Sequence, residues 1–378
     1  MGIYEELGLR RVINGNATLT RLGGSLMPPE VLAAMAEAAG AFVDIEVLQA
    51  RVGEEIARLT RNEAAYVSCG AAAGLVLSTA ACMTGLDPEK RERLPNVDGM
   101  KHEVIVHRGT RTPYDFAIRQ TGAKLVLVGT AERTAPEELE AAITEQTAAI
   151  FYFPNAHRDH IAVPLDQAIE IAHRHGVPLI VDAAAQLPPA SNLWTFTHRG
   201  ADLALFSGGK GLCGPQSSGL SVGRRDLIEA IRFNGPPKPF IGRPMKVGKE
   251  EMVGLLAAVR WYLSLDHEAL LDRYERQVQA FIDALGNLPG LAVRRDFPNE
   301  AGQPMPRAEI TVDPARLGLT AEEMLRQLLD GDPCIDLGGG GGNRILVNPQ
   351  TLAPDEEQII IRRIEEIVER RSRRRRGR

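Results

Sequence analysis

The chain has 378 residues, 44% of them hydrophobic and 25% charged, with a mean hydropathy of -0.14. A chain of this length buries a sizeable core without disulfides or metal, and the composition excludes disordered, collagen-like and fibrous classes. The net charge is -5, but seven arginines fall within residues 370–378, so the rest of the chain stands at -12. An acidic body argues against a nucleic-acid-binding face; the arginine tail could be a phosphate-binding arm, and the expectation is a solvated, disordered end. No uninterrupted 18-residue apolar run suggests a membrane span. Glu5, Glu6, Arg10 and Arg11 stand where a secretory signal would need apolar residues. The cysteines Cys69, Cys82, Cys213 and Cys334 show no CxxC or paired spacing. That suits reduced thiols in a cytoplasm and offers no metal site.

Short apolar runs alternate with helical patterns through the middle of the chain. Ala64–Ser68 reads as a strand and Ala71–Met83 as a small-residue helix. His102–Val106 is a strand, followed by a helix near Tyr114–Thr121. Lys124–Val128, Ala148–Phe153, Pro178–Asp182 and Asp202–Phe206 read as further strands, with helices at Ala135–Ile143 and Leu165–His175. This alternation indicates an α/β fold with a mostly parallel sheet covered on both faces. After an irregular Pro- and Gly-rich stretch near Asn234, one long helix is expected from about Lys249 to Leu285. Strands at Leu291–Arg294, Ala308–Val312 and Arg344–Val347, with helices at Ala321–Leu329 and Glu356–Arg370, suggest a small α+β domain. The expected division is an N-terminal arm with the first helices over 1–50, a large domain over 51–250, a small domain over 251–368 and a basic tail over 369–378. The glycine run Gly338–Gly342 reads as a mobile loop or a loose turn.

Several residues with useful chemistry fall at strand ends. Lys210 lies in SGGKGLCGPQSSG after the strand DLALF; a partly desolvated lysine there can form a Schiff base with a carbonyl. Asp182 ends PLIVD, and a carboxylate at the carboxyl end of a neighbouring parallel strand can pair with a ring N–H⁺. Ser68-Cys69-Gly70-Ala71 links a strand to a helix start, where free N–H groups and the helix dipole suit a phosphate; Ser207 can add a hydroxyl. His107 could lie on a ring face, and Asn155 could donate to a phenolic oxygen. Arg344 carries a guanidinium fork suited to a carboxylate. Asn16, Thr18 and Arg21 lie in a polar, Gly-rich segment before the first helix. Arg243, Lys246 and Lys249 add local positive charge, suited to an acidic substrate or to salt bridges between subunits. Each feature alone is commonly structural: a cap, a surface charge or a tight turn. Their joint occurrence, in order and each at a strand end, is much harder to reach by chance.

The segments SCGAAAG, HRGTRTPYD, FPNAH, VDAAAQ and SGGKGLCGPQSSG together resemble fold type I pyridoxal 5'-phosphate (PLP) enzymes of the selenocysteine-synthase-like branch. VINGNATLTRLGGSLMP and FIGRPMKVGKEEMVGLLAAV are similar to that branch as well. The resemblance implies a large domain with a seven-stranded, mostly parallel sheet and a small C-terminal α+β domain. It implies that Lys210 carries PLP, Asp182 binds the pyridine nitrogen, Cys69, Gly70, Ala71 and Ser207 bind the phosphate, and His107 stacks on the ring. Asn155 and Gln186 would reach the ring oxygen, although DAAAQ is one residue longer than the related DAAQ. Asn16, Thr18, Arg21 and Arg344 would approach the substrate, Arg344 by gripping its α-carboxylate. A homodimer or higher homo-oligomer is implied.

The expected activity is chemistry at Cα of an amino acid or amino sugar acid, with β-elimination to a 2-keto acid and ammonia ranked first. Racemase, aminotransferase and aminoacyl-tRNA selenium transferase activities are the alternatives; the acidic body and the short lead before VINGNAT argue against the last. The literal GxGxxG at Gly209–Gly214 is rejected as a dinucleotide fingerprint, because Pro215 and a strand-like LSVG follow where a helix would have to start.

Overall fold

The computed structural model describes residues 2–376, with the backbone alone for 372–376. Among the described residues the strands, in chain order, are β1 (Val12–Gly15), β2 (Ala64–Ser68), β3 (Glu103–His107), β4 (Lys124–Val128), β5 (Thr147–Tyr152), β6 (Leu179–Asp182), β7 (Leu203–Ser207), β8 (Gly219–Gly223), β9 (Leu291–Asp296), β10 (Arg307–Val312), β11 (Cys334–Gly341) and β12 (Arg344–Val347). They divide between two compact units. The larger comprises Leu26–Leu265 with Ala301–Gln303; the smaller comprises the chain to Ser25, Asp266–Glu300 and the chain from Pro304.

The larger unit is built on a seven-stranded sheet of order β2-β8-β7-β6-β5-β3-β4. All neighbours pair in parallel except β8, which runs antiparallel to both β2 and β7. The sheet is buried on both faces because its strands carry apolar side chains in both directions. In β7, Ala204 and Phe206 join the cluster that holds Ile56, Val181 and Val222, whereas Leu203 and Leu205 join the one that holds Leu75, Leu77 and Ile231. This period of two lets helices cover both sides. The parallel directions bring the carboxyl ends of β2, β3, β5, β6 and β7 to one edge.

The smaller unit has a five-stranded sheet of order β1-β11-β12-β10-β9. β1 and β11 are parallel and the other pairs antiparallel. Phe281, Leu285, Met324, Leu328, Ile335, Ile345, Ile360 and Ile364 form its core.

Four sequence expectations change. The long helix is two, Lys249–Ser264 and His267–Leu285, because Leu265 turns extended and Asp266 caps the second, its side chain accepting from the Ala269 N–H. The division of the chain falls after Leu265, inside the stretch expected as one long helix. The first 50 residues do not stand apart: β1 pairs with β11 in the smaller unit, and helices Pro29–Ala39 and Ile45–Leu59 belong to the larger. The glycine run is strand rather than loop as far as Gly341, pairing with β12 across a register shift between Gly339 and Gly341. The final helix extends from Glu356 to Arg376, into the tail expected to be disordered; residues 377–378 lie outside the described residues.

Candidate active site

The carboxyl edge of the large sheet assembles four chemical groups from four strands. Ser68, His107, Asp182 and Ser207 are the last residues of β2, β3, β6 and β7. Gly219, at the start of β8, is in register with Ser68 on one side and Ser207 on the other. A side chain at Gly219 would strike the backbone of Gly70 and Ala71, so its absence lets the turn after β2 close over the strand. Gly70 sits at φ 150°, ψ 163°, and begins the helix Ala71–Thr84 without any side-chain cap. The Ser68 hydroxyl donates to the Gly70 carbonyl at 2.8 Å, which fixes this turn. The first N–H groups of a 14-residue helix therefore face outward from a glycine-lined step, an arrangement suited to an anion.

Lys210 is carried on a tightly folded loop after β7. The Gly208 N–H donates to the Ser218 carbonyl at 2.9 Å, and the Cys213 N–H to the Lys210 carbonyl at 2.9 Å. A Cβ at Gly211 would come within 2.5 Å of the Leu187 carbonyl oxygen, so this turn needs glycine next to the lysine. Asp182 is partly buried, and its Oδ1 accepts from the Ala184 N–H at 3.1 Å. Burial raises its pKa above the ordinary carboxylate range, with the Ala184 N–H and the Lys210 charge acting in the opposite sense. Lys210 is thus within electrostatic reach of Asp182.

His107 is 1% exposed, and its ring meets that of Tyr152 edge-on at 5.6 Å between centroids. Neither ring nitrogen has a hydrogen-bond partner among the described residues. Burial pushes its pKa down to about 4, so the imidazole is neutral at neutral pH. Asn155 stands in the turn after β5, where its Oδ1 accepts from the His157 N–H at 3.0 Å and its backbone N–H donates to Asp159. Its Nδ2 carries the remaining donors. Gln186 is engaged elsewhere than the sequence suggested: its Nε2 donates to the Pro154 and Ala301 carbonyls, each at 3.1 Å, which uses both amide hydrogens.

The residues expected to approach substrate lie in the smaller unit, and three of them meet buried acids there. Arg21 forks onto Asp336 at 2.7 and 2.8 Å, and the Asn16 Nδ2 donates to the same carboxylate at 2.8 Å. Burial pushes the Asp336 pKa up, but Arg21 and Asn16 outweigh it and hold the carboxyl below its usual range. Thr18 is half-buried beside Ala17, which adopts φ 60° under a hydrogen bond from Asn14. Arg344 pairs with Glu309 at 3.2 Å and donates to the Gly340 and Gly341 carbonyls, so its fork does not stand open for a carboxylate. The signal for both pairings is present in the sequence. Asp336 in CIDL and Glu309 in AEITV are acids among core-facing strand residues, and a buried acid requires a cationic partner.

Residues 12–274 match the L-seryl-tRNA selenium transferase (SelA) family. The chain belongs to that family. Among its relatives, a 5'-C-glycyluridine monooxygenase-decarboxylase of Streptomyces sp is 35% identical over 363 residues, 93% of this chain and 88% of its own. The D-glucosaminate-6-phosphate ammonia lyase of Salmonella typhimurium is 35% identical over 338 residues, 88% of each chain. The solved structure of a D-glucosaminate-6-phosphate ammonia-lyase matches with a TM-score of 0.86 at 34% identity, covering 98% of this chain and 99% of that one. Serine palmitoyltransferase from S. paucimobilis, at a TM-score of 0.60 and 14% identity over 95% of this chain and 88% of its own, shares the fold alone. This SelA-family member has the fold of type I PLP enzymes and is a PLP-dependent enzyme. Its strand-edge residues fit the cofactor on three observations: a helix start with no side-chain cap, a step kept clear by Gly219, and a buried imidazole with two unpartnered nitrogens.

The folded pKa of His107 lies below the unfolded value of roughly 6.5, so folding favours the neutral ring. Its contribution to stability is complete above pH 6.5 and is lost as pH falls from there towards 4. In urea unfolding of the cofactor-free protein, His107→Phe should remove about 2 kcal/mol of the loss between pH 7 and pH 5. An unchanged loss would contradict this assignment.

Proposed function

We propose that the enzyme catalyses β-elimination from a hydroxylated α-amino acid of the amino sugar acid class, yielding a 2-keto acid and ammonia. The observation that carries this reading is the strand-edge set around Lys210 and Asp182, together with the 0.86 TM-score to an ammonia-lyase along nearly the whole chain. In this reading Lys210 anchors PLP, and Asp182 holds the proton on the pyridine nitrogen. The Cys69-Gly70-Ala71 turn and Ser207 receive the phosphate. His107, neutral by burial, lies against the ring face, and Asn155 donates to the phenolic oxygen. PLP, when bound, supplies an electron sink for the electron pair at Cα. With PLP carrying the substrate amine instead of Lys210, the ε-amine of Lys210 would be free to remove the Cα proton. The resulting ammonium passes that proton to the departing β-hydroxyl, which leaves as water. Return of the Lys210 amine to PLP would free the enamine, which would tautomerise to an imine and take up water, giving the keto acid and ammonia.

A small substrate is favoured over aminoacyl-tRNA, because the chain outside the arginine tail carries -12. Among the described residues no helix is long and apolar enough to cross a membrane. A cytoplasmic setting belongs to this reading. So does a homodimer, supported by Leu26, Phe42, Val43 and Val47, which are exposed within one stretch of the larger unit. Phe42 and Val43 border a mainly apolar hollow of about 420 Å³ that also carries Arg232, Arg243 and Lys246, suiting a second acidic copy.

With D-glucosaminate 6-phosphate and a panel of β-hydroxy amino acids, the wild type should release ammonia and 2-keto acid in equal amounts. Lys210→Ala should lower kcat by about 100- to 10,000-fold. Full activity in that variant, or carbon dioxide released without ammonia, would overturn the reading. In light scattering the wild type should give the mass of a dimer and Phe42→Glu a monomer; a monomeric wild type would remove the dimer.

A further inference from the structure

Between β9 and β10 the chain contributes three residues, Ala301–Gln303, to the larger unit. Each of the three meets a turn that follows a strand of the large sheet. The Ala301 carbonyl accepts from Gln186 Nε2 at 3.1 Å, and the same amide donates to the Pro154 carbonyl at 3.1 Å. Gly302 has φ 76°, and a Cβ there would stand 2.4 Å from the Ala156 backbone nitrogen. Only glycine lets the backbone come this close to the turn that carries Asn155. Gln303 is 4% exposed, and its Nε2 donates to the Leu187 carbonyl.

The turn that Gln303 holds lacks donors of its own. Pro188 and Pro189 have no N–H, so the backbone after Leu187 cannot build a local ladder. Side-chain amides stand in for it. Asn192 Nδ2 donates to the Gln186 carbonyl at 2.7 Å, and Gln303 donates to the next carbonyl along. That same Leu187 carbonyl is the wall of the Lys210 loop. A Cβ at Gly211 would lie 2.5 Å from the Leu187 carbonyl oxygen and 2.8 Å from its Cβ. Leu187 and Leu212 are both buried, so neither side of this contact can yield into open space. The bond that places the Leu187 carbonyl therefore places Gly211, and with it the backbone of Lys210.

We propose that Gln303 is a positioning residue for Lys210, acting through the Leu187 carbonyl on Gly211, with Ala301 and Gly302 seating its backbone. This rests on the reading of Lys210 as the residue that carries PLP. It makes a buried amide, distant in sequence and away from the strand ends, part of what aims the ε-amine. A misplacement of about 1 Å at a reacting group can cost about 100-fold in rate.

The test compares wild-type holoenzyme with two variants. Gln303→Met keeps the side-chain length and removes the donor. Gly302→Ala forces the backbone away from Ala156. Hydrogen exchange is followed by mass spectrometry in peptides covering residues 208–214 and, as a reference in the same unit, the helix Leu165–Arg174. Each variant should speed exchange over 208–214 at least tenfold and leave the reference helix within about twofold. On D-glucosaminate 6-phosphate, kcat should fall about 10- to 100-fold with KM within about twofold. Unchanged exchange over 208–214 would overturn the inference. So would equal acceleration of both segments, or failure of both variants to fold, because either marks a general loss of packing. If exchange responds as expected while no substrate releases ammonia, the proposed reaction fails and the hold on the loop stands. If ammonia is released and exchange does not respond, the reverse holds.

Discussion

The arrangement of the large sheet depends on one strand running against the rest. β8 lies between β2 and β7, antiparallel to both, so its first residue meets the last residue of each. That residue must be glycine, because the backbone of Gly70 and Ala71 occupies the space a side chain would take. The contact seats the turn that starts the helix Ala71–Thr84 against Gly219, whose other register partner, Ser207, ends the strand that leads into the Lys210 loop. The parallel strands contribute by direction alone: whatever ends β3 and β6 arrives at the same edge, which is where open α/β sheets carry their ligands.

Burial at this edge moves two titratable groups in opposite directions. The His107 imidazole, deprived of water and of hydrogen-bond partners, is held neutral well below its ordinary range. The Asp182 carboxyl is pushed up by the same desolvation, and the neighbouring Lys210 charge keeps it from rising further. A neutral flat ring and a carboxylate that gains from an added proton are what a protonated heteroaromatic ring needs on its face and at its nitrogen. The chemistry therefore follows from where strands end in the core rather than from mobile surface groups.

The sheet was legible in the sequence because its strands are short apolar runs bounded by turns; β4 and β12 match their expected limits to the residue. The positions of Asp182 at the end of β6 and of Lys210 just after β7 were legible because strand ends are visible in such runs. Three features were hidden for separate physical reasons. β11 ends in glycines, which carry no pattern, and only backbone pairing with β12 makes them strand. The break at Asp266 interrupts an apolar periodicity that continues on both sides, although an aspartate before His267-Glu268 is an N-cap signal. The partners of Arg21 and Arg344 are hidden because Asp336 lies 315 residues away and Glu309 on a neighbouring strand, so only folding brings each buried acid to its arginine.

The central claim is that PLP is bound through Lys210, and borohydride reduction of the purified holoenzyme followed by peptide mapping tests it most directly. The account predicts that the yellow colour bleaches and that a single pyridoxyl group is found on Lys210 in the peptide containing SGGKGLCG. A protein that takes up no PLP, or one labelled at another lysine while Lys210 stays unmodified, would contradict it.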